Sequence, residues 1–145
     1  MGSYRAACFF LLALCSMPYA KLVFMAHFRF MDLDIWKDSI EMNDRLFDLA
    51  DKLSDAKSFR VAEQLRGASL NISNNIAEGS GSFSDKDFAN FLNMARRSVF
   101  ETANISFVAF RRNFINQKEL DQILNDLDSL SRKITNFRKY ILKNI

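Results

Sequence analysis

Proline occurs once in this chain of 145 residues, at Pro18, and glycine only four times. An all-β protein needs turn residues roughly every 8–12 positions, so that class is excluded. Cysteine is nearly absent. Cys8 and Cys15 both lie within the first fifteen positions, which leaves the rest of the chain without a disulfide framework or a thiolate metal site. The one histidine, His27, precedes the periodic part of the sequence, so imidazole-based metal or acid–base chemistry has no donor there. Excess charge is missing as well. All 17 acids and 18 of the 20 bases follow residue 24, and a body this close to neutral makes no case for nucleic acid by charge alone.

What is present is apolar residues in helical register. Hydrophobic residues make up 49% of the chain, enough for the core of one domain at this length. Val61, Leu65, Ala68, Ile72 and Ile76 fall on one face of a 3.6-residue period, edged by Arg60, Gln64, Asn71, Asn75 and Glu78. Gly79 stands where a left-handed helix stop is expected, and Gly67, Ala68 and Ser69 are small enough to admit a neighbouring helix. The asparagines of 71–75 weaken the helix, because their side chains compete for backbone groups. They read either as a buried polar network that sets register or as a solvated last turn.

Three more helices follow from the same signals. The first runs from Asp32 or Asp34, either of which can cap it, to Leu53, with Ile35, Trp36, Ile40, Phe47 and Leu49 on its apolar side. Its segment, 32–55, carries eight acids against three bases, which reads as a solvated face that would repel nucleic acid. The third is announced by Ser84 with Asp87, close to a capping box, and its core face is Phe88, Phe91, Leu92, Ala95, Val99, Thr102, Ile105 and Ala109. Phe100, Phe107 and Phe114 recur every seven residues on a second face, and Glu101 is the one ionisable residue between Ser98 and Phe110. A helix apolar nearly all round is buried nearly all round, so this one is expected to meet a partner outside its own bundle. A membrane span is the competing reading, but the stretch is too short and too polar. The fourth helix opens on the pair Asn116 and Glu119. Leu120, Leu127, Ile134 and Ile141 repeat through it, and its acids precede its bases as the helix dipole prefers. Four helices joined by three short links predict an all-α, antiparallel up-and-down four-helix bundle over residues 25–145.

Residues 1–24 differ from everything after them. Arg5, the apolar run Ala6–Leu14 and the small residue Ala20 resemble a secretory signal, although Pro18 occupies a position where a small residue belongs. Met25 as the true start is the alternative, and a genuine extra segment is the third. The expected location is cytoplasmic, or exported if residues 1–20 are a real signal.

Several blocks occur together in order: Asp34-Ile35-Trp36-Lys37; Gln64-Leu65-Arg66; Asn75-Ile76-Ala77-Glu78-Gly79; and the spaced set Phe88, Phe91, Leu92, Ala95, Ser98, Glu101. This arrangement resembles the four-helix-bundle proteins encoded in intervening sequences of bacterial 23S ribosomal RNA genes. The likeness covers roughly residues 28–143, and the Asn-Ile-Ala-Glu-Gly block is its most specific part. A more distant similarity is to the accessory variability proteins of diversity-generating retroelements. The resemblance implies ring-shaped homopentamers for both groups, and binding of nucleic acid and a reverse transcriptase for the second. It implies no established activity for the first. The family often has a proline just before the asparagine block, where this chain has Ser73, so a less kinked helix is expected. Family members begin near Phe28-Arg29-Phe30, which favours Met25 as the start.

An enzyme needs a nucleophile with a base, paired carboxylates or a metal set. Glu78 and Glu101 are the carboxylates nearest to such a role, but di-iron bundles pair theirs with histidines on the same helices. They are expected instead to be structural, in one polar network with Arg66 and Asn75 between the second and third helices. The chain is therefore read as non-enzymatic, with no cofactor or metal and no membrane role for the bundle. Its partners are expected to be copies of itself, through Phe100, Phe107 and Phe114, and RNA or DNA. Lys57, Arg60, Arg111, Arg112 and Lys118 gather at one end of such a bundle, and Arg132, Lys133, Arg138, Lys139 and Lys143 lie towards the other. The alternatives are solvated helix ends, and a protein-interaction scaffold with no nucleic-acid role.

Overall fold

A computed structural model describes residues 26–143; the leader discussed above lies outside the described residues. After a short 3₁₀ turn, Arg29–Asp32, come four helices: α1 (Asp34–Asp55), α2 (Phe59–Ser80), α3 (Asp85–Arg111) and α4 (Gln117–Lys143). Each packs on the next in sequence, and α4 returns to α1 to close an antiparallel up-and-down bundle, with the α1–α4 contact the thinnest. The apolar stripes turn inward as their period demands. Leu46, Leu53, Leu65, Ile72, Ile76, Phe88, Leu92, Leu120, Leu127 and Ile134 are buried almost completely. Removing each such side chain from water favours folding by about 1.5–3 kcal/mol, set against the entropy of ordering the chain. No helix among the described residues is long and apolar enough to cross a membrane.

The helix starts of α3 and α4 follow their sequence signals. Ser84 Oγ accepts from the Asp87 backbone N–H at 3.1 Å and donates to the Asp87 carboxylate at 2.7 Å. Asn116 and Glu119 form a reciprocal box: the Glu119 N–H donates to Asn116 Oδ1 at 2.9 Å and the Asn116 N–H to Glu119 Oε2 at 2.8 Å. At α1 the expectation fails. The cap position is Leu33, with no side-chain cap, and Asp32 belongs to the 3₁₀ turn, where it pairs with His27 at 2.8 Å. The turn consumes Asp32 before the helix begins.

Gly79 also departs from expectation. The helix continues through it to Ser80, and the cap residue Gly81 has an ordinary φ of −85°. Gly79 is required by contact instead. A Cβ there would lie 2.5 Å from Phe91 Cβ and 2.8 Å from Phe88 Cδ2, so the missing side chain lets α3 press onto the end of α2. Gly67 does the opposite of what its size suggests: it is exposed, and a Cβ there would meet nothing within 4 Å. Ala62, Ala68, Ser69 and Ser73 of α2 and Ala89, Ala95, Thr102, Ser106 and Ala109 of α3 are all buried. The buried hydroxyls are satisfied within their own helices, as in Ser73 to Leu70 O at 3.0 Å and Thr102 to Ser98 O at 2.9 Å. Serine at position 73 leaves α2 a single continuous helix.

Candidate functional sites: the basic end and the aromatic edge

The α1–α2 and α3–α4 links lie at the same end of the bundle and are built alike. The Lys57 N–H donates to Ser54 O and the Ser58 N–H to Leu53 O; the Asn113 N–H donates to Phe110 O and the Phe114 N–H to Ala109 O. Both are Schellman terminations, and both place a non-glycine residue in the left-handed region, Lys57 and Asn113 each with a φ of 60°. Neither link carries glycine, so the usual sequence signal for this stop was missing. Sharp turning there sets Lys57, Arg60, Arg111, Arg112 and Lys118 on the surface of one end, all exposed and none in an ion pair or side-chain hydrogen bond with a described residue. The acids nearby are mostly engaged. Asp51 and Glu63 both hold Arg66, the latter at 2.9 Å, Asp121 accepts from Gln117 at 2.7 Å, and Glu119 meets Lys52 at 3.5 Å. Asp55 has no partner among the described residues, Asp121 meets only a neutral amide, and Asp51 and Glu63 share one guanidinium, so the five cations outweigh the local acids without being free of them.

Two of the five bases in the second group expected from sequence, Lys133 and Arg132, are paired with acids, and a third is tied to a backbone carbonyl. Lys133 pairs with Asp38 at 2.7 Å, Arg132 with Asp128 at 2.8 Å, and Arg138 donates to the Ala89 carbonyl at 3.0 Å. The hydrogen bond that Lys133 donates to the Asp38 carboxylate holds its ammonium above its ordinary pKa. Lys139 and Lys143 remain exposed and unengaged. The α1–α4 register explains this. Asp38, Arg45 and Lys52 step by seven along α1 opposite Lys133, Asp126 and Glu119 stepping by seven along α4, so three ion pairs cross the seam. Each is solvent-exposed, and such pairs contribute about 0–1 kcal/mol; together they close the bundle's thinnest contact.

The four residues expected to form one network are not brought together. Arg66 reaches back to α1, with Nη1 within 3.4 Å of Ser54 Oγ as well as its pairs with Asp51 and Glu63. Asn75 Nδ2 donates to Asn71 O within its own helix, at 2.6 Å. Glu78 and Glu101 are exposed and have no side-chain partner among the described residues. Asn75 and Glu101 do border one shallow groove with Met94, Arg97 and Ser98. The α2 rotation that buries Leu65, Ile72 and Ile76 turns Glu78 outward and Arg66 towards α1. The buried amide of the bundle lies elsewhere. Asn43 of α1 donates to Ser73 Oγ of α2 at 3.1 Å, while its Oδ1 has no protein partner.

On α3, Phe100 and Phe107 are 57% and 48% exposed although the core face of the helix, Phe88, Leu92, Ala95, Val99, Thr102, Ile105 and Ala109, is buried. The Arg96 guanidinium lies 4.8 Å over the Phe100 ring, and Phe107 meets Phe110 edge-on at 6.1 Å. Phe114, expected in the same set, belongs instead to the rim of the bundle's own core. It lies past the end of α3, in the Schellman link, where the helical period no longer places it.

No group of His, Cys, Asp and Glu among the described residues could hold a metal ion. The 23S rRNA-intervening sequence protein profile matches residues 31–136, from the 3₁₀ turn deep into α4. None of the curated proteins matches the chain. Among solved structures, a protein of unknown function from the S23 ribosomal protein family of Bacteroides thetaiotaomicron is similar in fold, with a TM-score of 0.68 at 24% identity. The match covers 72% of this chain and 98% of that one. With the bundle, its caps and the matched span in agreement, the chain belongs to the 23S rRNA-intervening sequence protein family.

Proposed function

We propose that this protein is a non-enzymatic scaffold that assembles with copies of itself through the aromatic edge of α3 and offers its basic end to RNA or DNA. The observation that carries the reading is the exposure of Phe100 and Phe107 on a bundle whose own core is already closed. Two large rings left in water seven residues apart on one helix favour a partner surface. A second copy suits it by charge. Arg96 and Arg97 flank Phe100, while α1 turns Asp44 and Asp48 to solvent with no described partner, beside Glu41, which is exposed near Lys133. Opposite charges on two different faces of one chain fit a head-to-tail contact, which closes into a ring when the rotation permits. The family resemblance points to five copies. Around a ring, each protomer's basic end repeats, and weak phosphate contacts add through effective concentration.

Light scattering tests the assembly. The wild-type chain is expected at a multiple of its 16.8 kDa protomer mass. Phe100→Asp combined with Phe107→Asp is expected to give monomer or aggregate, because each buried unpaired carboxylate costs several kcal/mol. A wild-type chain that stays monomeric at tens of micromolar (roughly the range where stable interfaces persist) refutes the assembly. A protein-binding scaffold without a nucleic-acid role is the second reading, favoured by the near-neutral charge of the body. Binding to oligonucleotides that falls with salt separates the two.

A further inference from the structure

Resting on the nucleic-acid reading above, we infer that the basic end is a site for single-stranded nucleic acid, taking one unstacked base in a groove while the flanking phosphates lie on Lys57, Arg60, Arg111 and Arg112. The groove runs between the two links and has a volume of about 180 Å³. Leu53, Val61, Val108 and Phe114 supply apolar walls, and Ser58 and Arg112 border it. An apolar slot bordered by Arg112, with Lys57, Arg60 and Arg111 each next in sequence to a lining residue, matches a ligand that is flat and apolar in one part and anionic in the next. An unpaired nucleotide has that form; a duplex keeps its bases stacked inside and shows only phosphates and groove edges.

Two neighbours extend the match. Phe59 opens α2 between Ser58 and Arg60 and is 61% exposed, a ring face free for a second base to stack on. Asn113, exposed in the left-handed position of the other link, presents an amide that can hydrogen-bond a base edge. Among the described residues the end is made of two tight links, with no helix or ribbon projecting to enter a major groove, which again disfavours duplex.

Fluorescence anisotropy of the full chain with labelled oligouridine and oligothymidine of about 12 nucleotides, beside a duplex of equal length, tests this. Both single strands are expected to bind at least tenfold more tightly than duplex at about 50 mM salt. The slope of log K against log salt is expected near −3, from roughly 0.7 per phosphate over four cations. Arg111→Gln with Arg112→Gln should reduce that slope by about 1.4. Phe59→Ala, a surface change, should weaken binding by about tenfold with the slope unchanged. Lys139→Gln with Lys143→Gln, at the far end, should leave binding as it is. Light scattering on every variant must match wild type, so that loss of binding is not loss of assembly. Equal affinity for duplex, or no effect of Phe59→Ala, overturns the single-strand site and leaves general nucleic-acid binding standing. No binding to any oligonucleotide at about 50 mM salt overturns both. Anionic vesicles bound through the same cations in preference to oligonucleotide overturn the site as well.

Discussion

Alanine at Gly79 and alanine at Gly67 are the same substitution in the same helix and are expected to act in opposite directions. Each gains helix propensity, about 0.5–1 kcal/mol, by reducing the freedom of the unfolded chain. At Gly67 nothing offsets the gain, since the added methyl meets no atom within 4 Å. At Gly79 it lands 2.5 Å from Phe91 Cβ, an atom held by the α3 backbone that no rotamer change can move. It also lies 2.8 Å from the Phe88 ring, itself pinned edge-on against Phe137 at 5.7 Å and beneath Arg29 at 5.5 Å. Ordinary carbon contact needs about 3.5–4.0 Å, so α2 and α3 must separate by roughly 1 Å where they meet. Overpacking of this kind costs about 1–3 kcal/mol and occasionally more. With little room to relax, the upper end applies, and the net loss is about 2 kcal/mol. Thermal melts followed by far-UV circular dichroism, at one protein concentration because assembly shifts the midpoint, should show Gly79→Ala down by about 6–8 °C and Gly67→Ala up by about 2–4 °C. Gly79→Ala melting at or above wild type would refute the contact argument. A destabilised Gly67→Ala would mean that another copy covers that surface.

Ser73→Ala should cost about 1–3 kcal/mol in urea unfolding, because the Asn43 amide then loses its protein partner; the paired change with Asn43→Leu should recover most of the loss, and no recovery would argue against the buried pair. Glu78→Ala should leave the midpoint within about 2 °C of wild type, since the carboxylate is exposed near the C-terminal end of α2, where the dipole does not favour it; a large drop would restore it to a structural contact. The backbone N–H of Asn116 holds the Glu119 carboxyl below its ordinary value of 4.5, with Lys52 adding to the effect. A depressed folded pKa contributes stability that is complete above the unfolded value and fades as pH falls through the folded one. Urea titrations between about pH 6 and pH 3 should therefore show wild type losing more stability than Glu119→Gln, and parallel curves would contradict this.

The helices were legible because their causes are local. Leu120, Leu127, Ile134 and Ile141 repeat at the helical period, and all are buried as that period requires. Ser84 with Asp87, and Asn116 with Glu119, satisfy backbone groups three residues away, a relation written in adjacent sequence. The bundle itself followed from four such stripes and short links. What only the tertiary structure decided depends on what faces each residue across a helix contact. Gly79 reads as a stop until Phe91 is placed 2.5 Å from its missing side chain. Asn43 reads as one more polar residue on an acidic helix until α2 brings Ser73 to it. Phe114 keeps the seven-residue spacing of Phe100 and Phe107, but the helix has ended before it, so spacing no longer sets direction. On α4 Lys133 and Arg132 are paired with acids, because the α1–α4 register sets Asp38 against Lys133 and Asp128 lies one turn from Arg132, while Lys57, Arg60, Arg111 and Arg112 at the other end have no ion pair with a described residue. Charge type is local to the chain; whether a charge is neutralised is a property of the contact.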